Sequence, residues 1–340
     1  MLNSPRLHLA SWRGHAIEGV HPVHAVLCEA DGTVVQQVGF DVETTWRSSA
    51  KPFQLEATLG LVPEDKQKKL TDRALAVAAA SHNAEQIHLR AVRSIFKLFE
   101  LEEDQLRCGA HNPMGSAANN TLIRARKKPA QIHNNCSGKH AMMLAAASCN
   151  EQELETYLEP GQLVQKAIFD VVSERTGLEI EDTVIDGCGA PCFVLPLSAM
   201  ARAWAQLGEA TQDEESGVLG RIGRAMSAHP DLVSGSDRLD VALPGEAQEP
   251  LITKIGAAGL LCGTLPERKL GFAMKIGTGD GGLRGDGARA CLHRWFPEIF
   301  EEAPSESPVL NVVGEPVGRV EPIWEMPKPK KPWKKRRRRG

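Results

Sequence analysis

No apolar run in the 340-residue chain is long and unbroken enough to cross a bilayer, so a membrane-embedded function is not expected. The first residues, Met1-Leu2-Asn3-Ser4-Pro5-Arg6-Leu7-His8, lack a basic segment followed by an apolar one, and no secretory signal is expected. The eight cysteines are scattered and lack the dense spacing of a disulfide scaffold. These absences lead to the expectation of a reducing compartment, the cytoplasm. No internal repeat is visible.

What is present is a globular composition. A hydrophobic share of 42% with 24% charge is enough for a substantial core in one large domain or two moderate ones. The net charge of −3 hides an asymmetry. Lys328, Lys330, Lys331, Lys334, Lys335 and Arg336 to Arg339 crowd the last thirteen residues, which leaves 43 acids against 31 bases elsewhere. A Pro-rich run of like charge does not bury itself, so residues 328–340 are expected to be a disordered tail behind a catalytic domain at 1–327. An acidic body repels phosphates, so nucleic acid is not the expected partner despite that tail.

Patterning gives a coarse architecture. Residues 24–29 and 34–38 read as strands joined at Asp31-Gly32. Helices are expected at 49–60, 71–80, 161–175, 198–207 and 218–228, with a capping box at Asn83 and Gln86 before a stripe of Ile87, Ala91, Ile95, Leu98 and Phe99. The apolar run 141–147 reads as a buried helix starting at a polar cluster, and 251–276 as a β-meander. Helices flanking a mostly antiparallel sheet, with a helical part inserted, make an α/β (α+β) fold.

The stretch with the most chemistry is Trp46-Arg47-Ser48-Ser49-Ala50-Lys51-Pro52-Phe53-Gln54. Residues three apart at a helix start share a face, so Lys51 could reach Ser48. Pro52 fits only in a first turn, with Ser49 as the expected cap. A serine with a lysine base is the arrangement of penicillin-recognising enzymes. Spacing alone is weak, because Ser94 and Lys97 repeat it inside an ordinary amphipathic helix. A lysine acting as base must fall from about 10.4 to roughly 7–8, worth about 4 kcal/mol, which burial and a second cation can supply. Lys254, a charge in an apolar strand, invites a functional reading; its bland reading is an outward lysine on an edge strand. Ser81 lies in a corner between helices, where a plain turn residue is the alternative. Cys136 precedes a helix whose positive end favours a thiolate, and Cys188 sits between two glycines. If these thiolates share a metal, zinc suits them, and His140 or Cys192 are the ordinary third ligands.

Taken together, Arg47-Ser48-Ser49-Ala50-Lys51-Pro52, Ser81-His82, Cys108-Gly109-Ala110-His111, Asn135-Cys136-Ser137-Gly138-Lys139-His140-Ala141, Asp186-Gly187-Cys188-Gly189-Ala190-Pro191, the loop 233–240 and Lys254-Ile255-Gly256-Ala257 resemble the Rhizobium-type L-asparaginase II family. The resemblance runs from about residue 7 to 324. It implies a fold like serine β-lactamases and glutaminases, a homodimer, and hydrolysis of L-asparagine to aspartate and ammonia. It also implies Ser48 paired with Lys51, Ser81 paired with Lys254, one zinc on Cys136, Lys139 and Cys188, Asp186 beside the metal, and Arg47 and His140 fixing substrate. Two departures stand out: Ala258 replaces a usual acid, and 277–287 is longer and richer in glycine. The alternatives are an amidohydrolase of the same fold acting on glutamine, a β-lactam or another small amide, and a non-enzymatic zinc protein binding nucleic acid through its tail.

Overall fold

Strands that alternate apolar side chains to both faces need covering on both, and this chain supplies helices for each. The computed structural model describes residues 4–180, 183–303 and 305–324, so the expected tail at 328–340 lies outside the described residues. Strands β1 (Leu7–Arg13), β2 (Ala16–Cys28) and β3 (Val34–Val38) open the chain, followed by the short β4 (Glu43–Thr45). Helices α1 (Lys51–Gly60), α2 (Glu64–Gln67), α3 (Asp72–Ala78), α4 (Gln86–Phe99), α5 (Ser116–Arg124), α6 (Ser137–Cys149) and α7 (Leu163–Thr176) then form a helical part. Strands β5 (Thr183–Ile185) and β6 (Pro191–Pro196) lead to α8 (Leu197–Gln212), α9 (Val218–Ala228), α10 (Pro230–Val233) and α11 (Leu239–Glu246). The meander β7 (Ile252–Ile255), β8 (Leu260–Leu265) and β9 (Leu270–Ile276), helix α12 (Arg284–Trp295), and strands β10 (Ser307–Leu310) and β11 (Pro316–Ile323) complete it.

The main sheet runs β10-β11-β1-β2-β9-β8-β7, with β3 also on β2, and all its pairings are antiparallel. A second sheet orders β4-β6-β5. Val26, Cys28, Cys262 and Ala273 face a core shared with the helical part and α8. Ala25, Leu27, Leu261, Phe272, Met274 and Ile276 face the opposite core, closed by Leu243, Ala288, Cys291 and Leu292 of α11 and α12. Gly271 allows α8 to sit directly on β9, since a Cβ there would collide with the Ala205 amide and the Ala201 carbonyl. The mixed α/β architecture with an antiparallel sheet is as expected. Among the described residues no helix is long and apolar enough to cross a membrane.

Local departures have physical causes. Ser49 does not cap α1; it is buried in a 3-10 turn, Arg47–Ala50, and Ala50 takes the cap position with Pro52 in the first turn. Aromatic packing outweighs capping here. Trp46 stacks on Phe53 at 5.1 Å, and Phe53 meets Trp204 edge-on at 6.1 Å, contacts worth about 0.5–1.5 kcal/mol each beyond the area they bury. Trp204 Nε1 then donates to the Ser49 carbonyl at 3.2 Å. The expected Asn83–Gln86 capping box moves two residues on: Glu85 caps α4 and its N–H donates to His88 Nδ1 at 3.1 Å. Asn83 is withdrawn from the helix to bind Asp237 and Arg238.

Candidate active site

The 3-10 turn presents Ser48, half-buried, with a hydroxyl that has no hydrogen-bond partner among the described residues. Arg47 before it adopts φ 48°, a left-handed conformation that costs a non-glycine residue about 1–2 kcal/mol. Its Nε donates to Asp186 Oδ1 at 2.7 Å, and the Gly187 amide donates to the same oxygen at 2.8 Å. That contact ties the serine turn to the β5–β6 turn and offsets the strain.

Lys51 begins α1 and is fully buried. Its Nζ donates to Ser81 Oγ at 3.0 Å and also to the Ala80 carbonyl. The hydrogen bonds therefore differ from the expected couples of Ser48 with Lys51 and Ser81 with Lys254. A buried amine takes the nearest free acceptors, and the chain just past the end of α3 supplies a carbonyl and a hydroxyl together. The corner is held open for this. Ser81 and Asn83 donate backbone N–H groups to the carbonyls of Val233 and Ser234, while His82 donates its own to Asn135. The decoy pair bears out the bland reading: Ser94 Oγ in α4 bonds back to the Ala91 carbonyl at 2.6 Å.

Lys254 lies on β7, the edge strand of the meander, yet is fully buried, so the outward-lysine reading fails. Burial pushes its amine down to about 7; Lys51 and Arg238 add to this, while Asp240 and Cys136 oppose it. Its Nζ donates to the Ile255 carbonyl at 3.0 Å and lies 3.7 Å from Asp240 Oδ2. Ser49 Oγ donates to the Lys254 carbonyl at 2.9 Å, which joins the serine turn to this strand. Gly256 permits the approach: a Cβ there would lie 2.9 Å from Ser49 Oγ. Lys51 and Lys254 thus lie close enough for each charge to act on the other.

Beside them is a buried sulfur cluster. Cys136 caps α6, Lys139 and His140 occupy its first turn, and Cys188 arrives from the β5–β6 turn. Lys139 Nζ donates to Cys188 Sγ at 3.3 Å. The hydrogen bond from Cys136 holds the Cys188 thiol far below its ordinary range, and Lys139 helps against burial. The same interaction, together with burial, keeps Cys136 well above its ordinary range, and its thiol donates to Asn135 Oδ1 at 2.9 Å. Burial would lower Lys139, but the sulfurs and Asp186 outweigh it and raise the ammonium. His140 Nδ1 pairs with Tyr157 OH at 2.7 Å, while its Nε2 is buried without a hydrogen-bond partner. Burial lowers His140. Asp186 Oδ2 lies 3.8 Å from Cys188 Sγ. Among the described residues no group of three His, Cys, Asp or Glu side chains converges as a metal site, so a metal here would depend on the Lys139 amine.

All ten expected site residues therefore fall in one continuous region linked by these contacts. Sequence reasoning gave no site role to Asp240, Asn83 or Tyr157. For Asn83 a signal existed: Ser48-x-x-Lys51, Ser81-x-Asn83 and Lys254-x-Gly256 follow in order the three short motifs of penicillin-recognising enzymes. The longer glycine-rich segment lies against Gly256, where Arg284 donates to the Gly256 carbonyl and, at 2.9 Å, to that of Gly281.

Among solved structures, the chain is similar to Mglu in its native form, at 16% identity and TM-score 0.45, over 83% of this chain and 66% of that one. It is similar to a β-lactamase from Mycobacterium bovis at 13% identity and TM-score 0.41, over 80% and 94%. A Bacillus subtilis glutaminase in covalent complex with 5-oxo-L-norleucine gives 12% identity and TM-score 0.36, over 82% and 88%. The chain thus spans slightly less than two thirds of the length of Mglu. No curated protein matches it in sequence. The L-asparaginase II family model matches residues 9–322, nearly the whole described chain, and the protein belongs to that family.

Proposed function

We propose that the protein hydrolyses L-asparagine to L-aspartate and ammonia through a serine ester, with Ser48 as nucleophile and the Lys51–Ser81 pair as the proton carrier. The observation that carries this reading is the 3.0 Å contact between Lys51 Nζ and Ser81 Oγ, one helical turn from Ser48. Ser48 is half-buried with a hydroxyl free of hydrogen bonds among the described residues, whereas Ser81 is buried and bonded to Lys51, which favours Ser48 as the attacking group. In the forward step Ser48 Oγ bonds to the amide carbon and its proton passes to the lysine–serine pair. The C–N bond then breaks as that pair returns the proton to the departing ammonia, and water cleaves the ester. Lys254, pushed down to about 7 by burial with the Lys51 charge adding to it, can stand uncharged at neutral pH and so adds no fixed positive charge that would oppose a proton on the lysine–serine pair. Arg47 and His140 would orient the substrate, with Asp186 fixing Arg47.

The donor set fits zinc. Two sulfurs and an amine converge, and the unpartnered Nε2 of His140 is buried beside them. Cys136, Cys188 and Lys139 would hold the ion, which when bound supplies a fixed positive charge for orienting a polar substrate. Ammonia release measured with asparagine, with glutamine, and alongside nitrocefin turnover tests the assignment. Turnover of asparagine that is unchanged in Ser48→Ala would refute it, and a preference for glutamine or nitrocefin would move the substrate. We also propose a homodimer, which sedimentation checks.

A further inference from the structure

Asp240 is a buried carboxylate that the reaction above does not use. It sits in the first turn of α11, 1% exposed, behind the edge strand. One oxygen, Oδ1, accepts the Ile255 backbone N–H at 2.9 Å and the Thr253 hydroxyl at 3.1 Å. These are the residues on either side of Lys254. The other oxygen, Oδ2, has no hydrogen bond and lies 3.7 Å from Lys254 Nζ. A carboxylate needed only to pin α11 to β7 would have done its work with Oδ1. A buried oxygen left without a donor costs free energy unless a charge faces it, and Lys254 is the charge that does.

We propose that Asp240 is a positioning residue for Lys254, holding its amine in place and setting the pH at which it gives up its proton. The proposal rests on the reading that Lys254 belongs to the amide-hydrolysing site. The groups facing Lys254 are Asp240 and Arg238 from α11 and the turn before it, Lys51 from α1, Cys136 at the start of α6, and Cys262 across the β7–β8 pair. Lys51 and Arg238 are cations that disfavour a third positive charge. Cys262 is held to about 12 by burial, so it is a neutral thiol at physiological pH. Asp240 is the nearest anion and shares its own surroundings with Arg238 and Arg284. Without it, desolvation and two cations would act on the Lys254 amine with little opposition.

Asp240→Asn in the full chain separates charge from structure, because the amide oxygen still accepts from Thr253 and Ile255. The readout is the lysine 13Cε shift against pH, with the Lys254 signal assigned by its loss in Lys254→Met. The Lys254 midpoint should fall by about one unit or more in Asp240→Asn. The acid limb of kcat/KM should move the same way, and Asp240→Glu should return both part of the way. A merely structural role would lower activity without moving either midpoint. A folded Asp240→Asn protein with an unmoved Lys254 midpoint overturns the proposal, and Asp240→Ser, which also removes the charge, decides in the same way if the asparagine variant does not fold. Full activity in Lys254→Met would remove the catalytic reading instead, a result distinct from the titration.

Discussion

Lys51 and Ser81 meet at 3.0 Å inside the protein, although they belong to different helix–helix corners and neither is close to the other in sequence. The amine has chosen a hydroxyl delivered by tertiary structure over the one three residues before it. On the proposed mechanism this divides the work between the serines, the half-buried Ser48 attacking and the buried Ser81 held against Lys51.

That division predicts different losses. Ser48→Ala should abolish ammonia release and labelling by a diazoketone analogue of asparagine. Ser81→Ala should keep the nucleophile and lose proton transfer, a fall on the order of 10²–10⁴-fold in kcat. Steady-state kinetics with peptide mass spectrometry of the labelled protein checks both, and a label on Ser81 would reverse the assignment.

Gly138 lies between two residues of the sulfur cluster, and a Cβ on it would collide with the Val77 carbonyl. Helix α6 can seat its first turn against α3 only without that carbon. Gly138→Ala should therefore cost about 1–3 kcal/mol of stability. It should also move Lys139 away from Cys188. Urea denaturation reads the first effect and metal content the second.

Much of this was legible. The hairpin turn at Asp31-Gly32 is present, with Gly32 at φ 96°, and α9 occupies residues 218–228 as the apolar periodicity requires. Lys254 announced itself as a charge in an apolar strand. What could not be read were partners distant in sequence. Asp240 looks like an ordinary acid in the first turn of a helix, and nothing local says that Lys254 faces it. Ser49 has the sequence of a cap, and only the stacking of Trp46, Phe53 and Trp204 explains why it is buried instead. Spacing could show that Lys51 might reach Ser48, but the destination of a long side chain is settled by acceptors that other segments bring.

Lys254 also makes stability depend on pH in a particular direction. Its folded value of about 7 lies below the ordinary 10.5, so between these pH values the unfolded chain binds more protons. Its contribution to stability should rise with pH across that window, by about 4–5 kcal/mol in all. Below pH 7 the full penalty remains. Tm measured from pH 6 to 10 should climb more steeply in the native protein than in Lys254→Met/Asp240→Asn, where neither charge is left buried alone.

His82 and His88 act in the opposite pH range. The rings stack 5.3 Å apart, and burial lowers both. Stability they contribute is present above their ordinary value of 6.5 and is lost as pH falls below it. Acid unfolding followed by circular dichroism should begin at lower pH in His88→Gln, which removes one of the two protonations.

The sulfur cluster predicts a metal stoichiometry. Dialysed protein should keep about one zinc per chain, and Cys136→Ser should release it. Elemental analysis gives the answer without reference to turnover. Metal-free protein from the native chain would end the zinc reading.

The serine turn is anchored at one end to the Asp186 loop through Arg47 and at the other to the meander through the Ser49 hydroxyl. Its shape is thus dictated by neighbours from the middle and the end of the polypeptide. Cutting the chain within the exposed stretch after α8 should leave two inert pieces, each missing a wall of the cleft. Mixing them should restore turnover in proportion to their association, which would make this chain a complementation reporter.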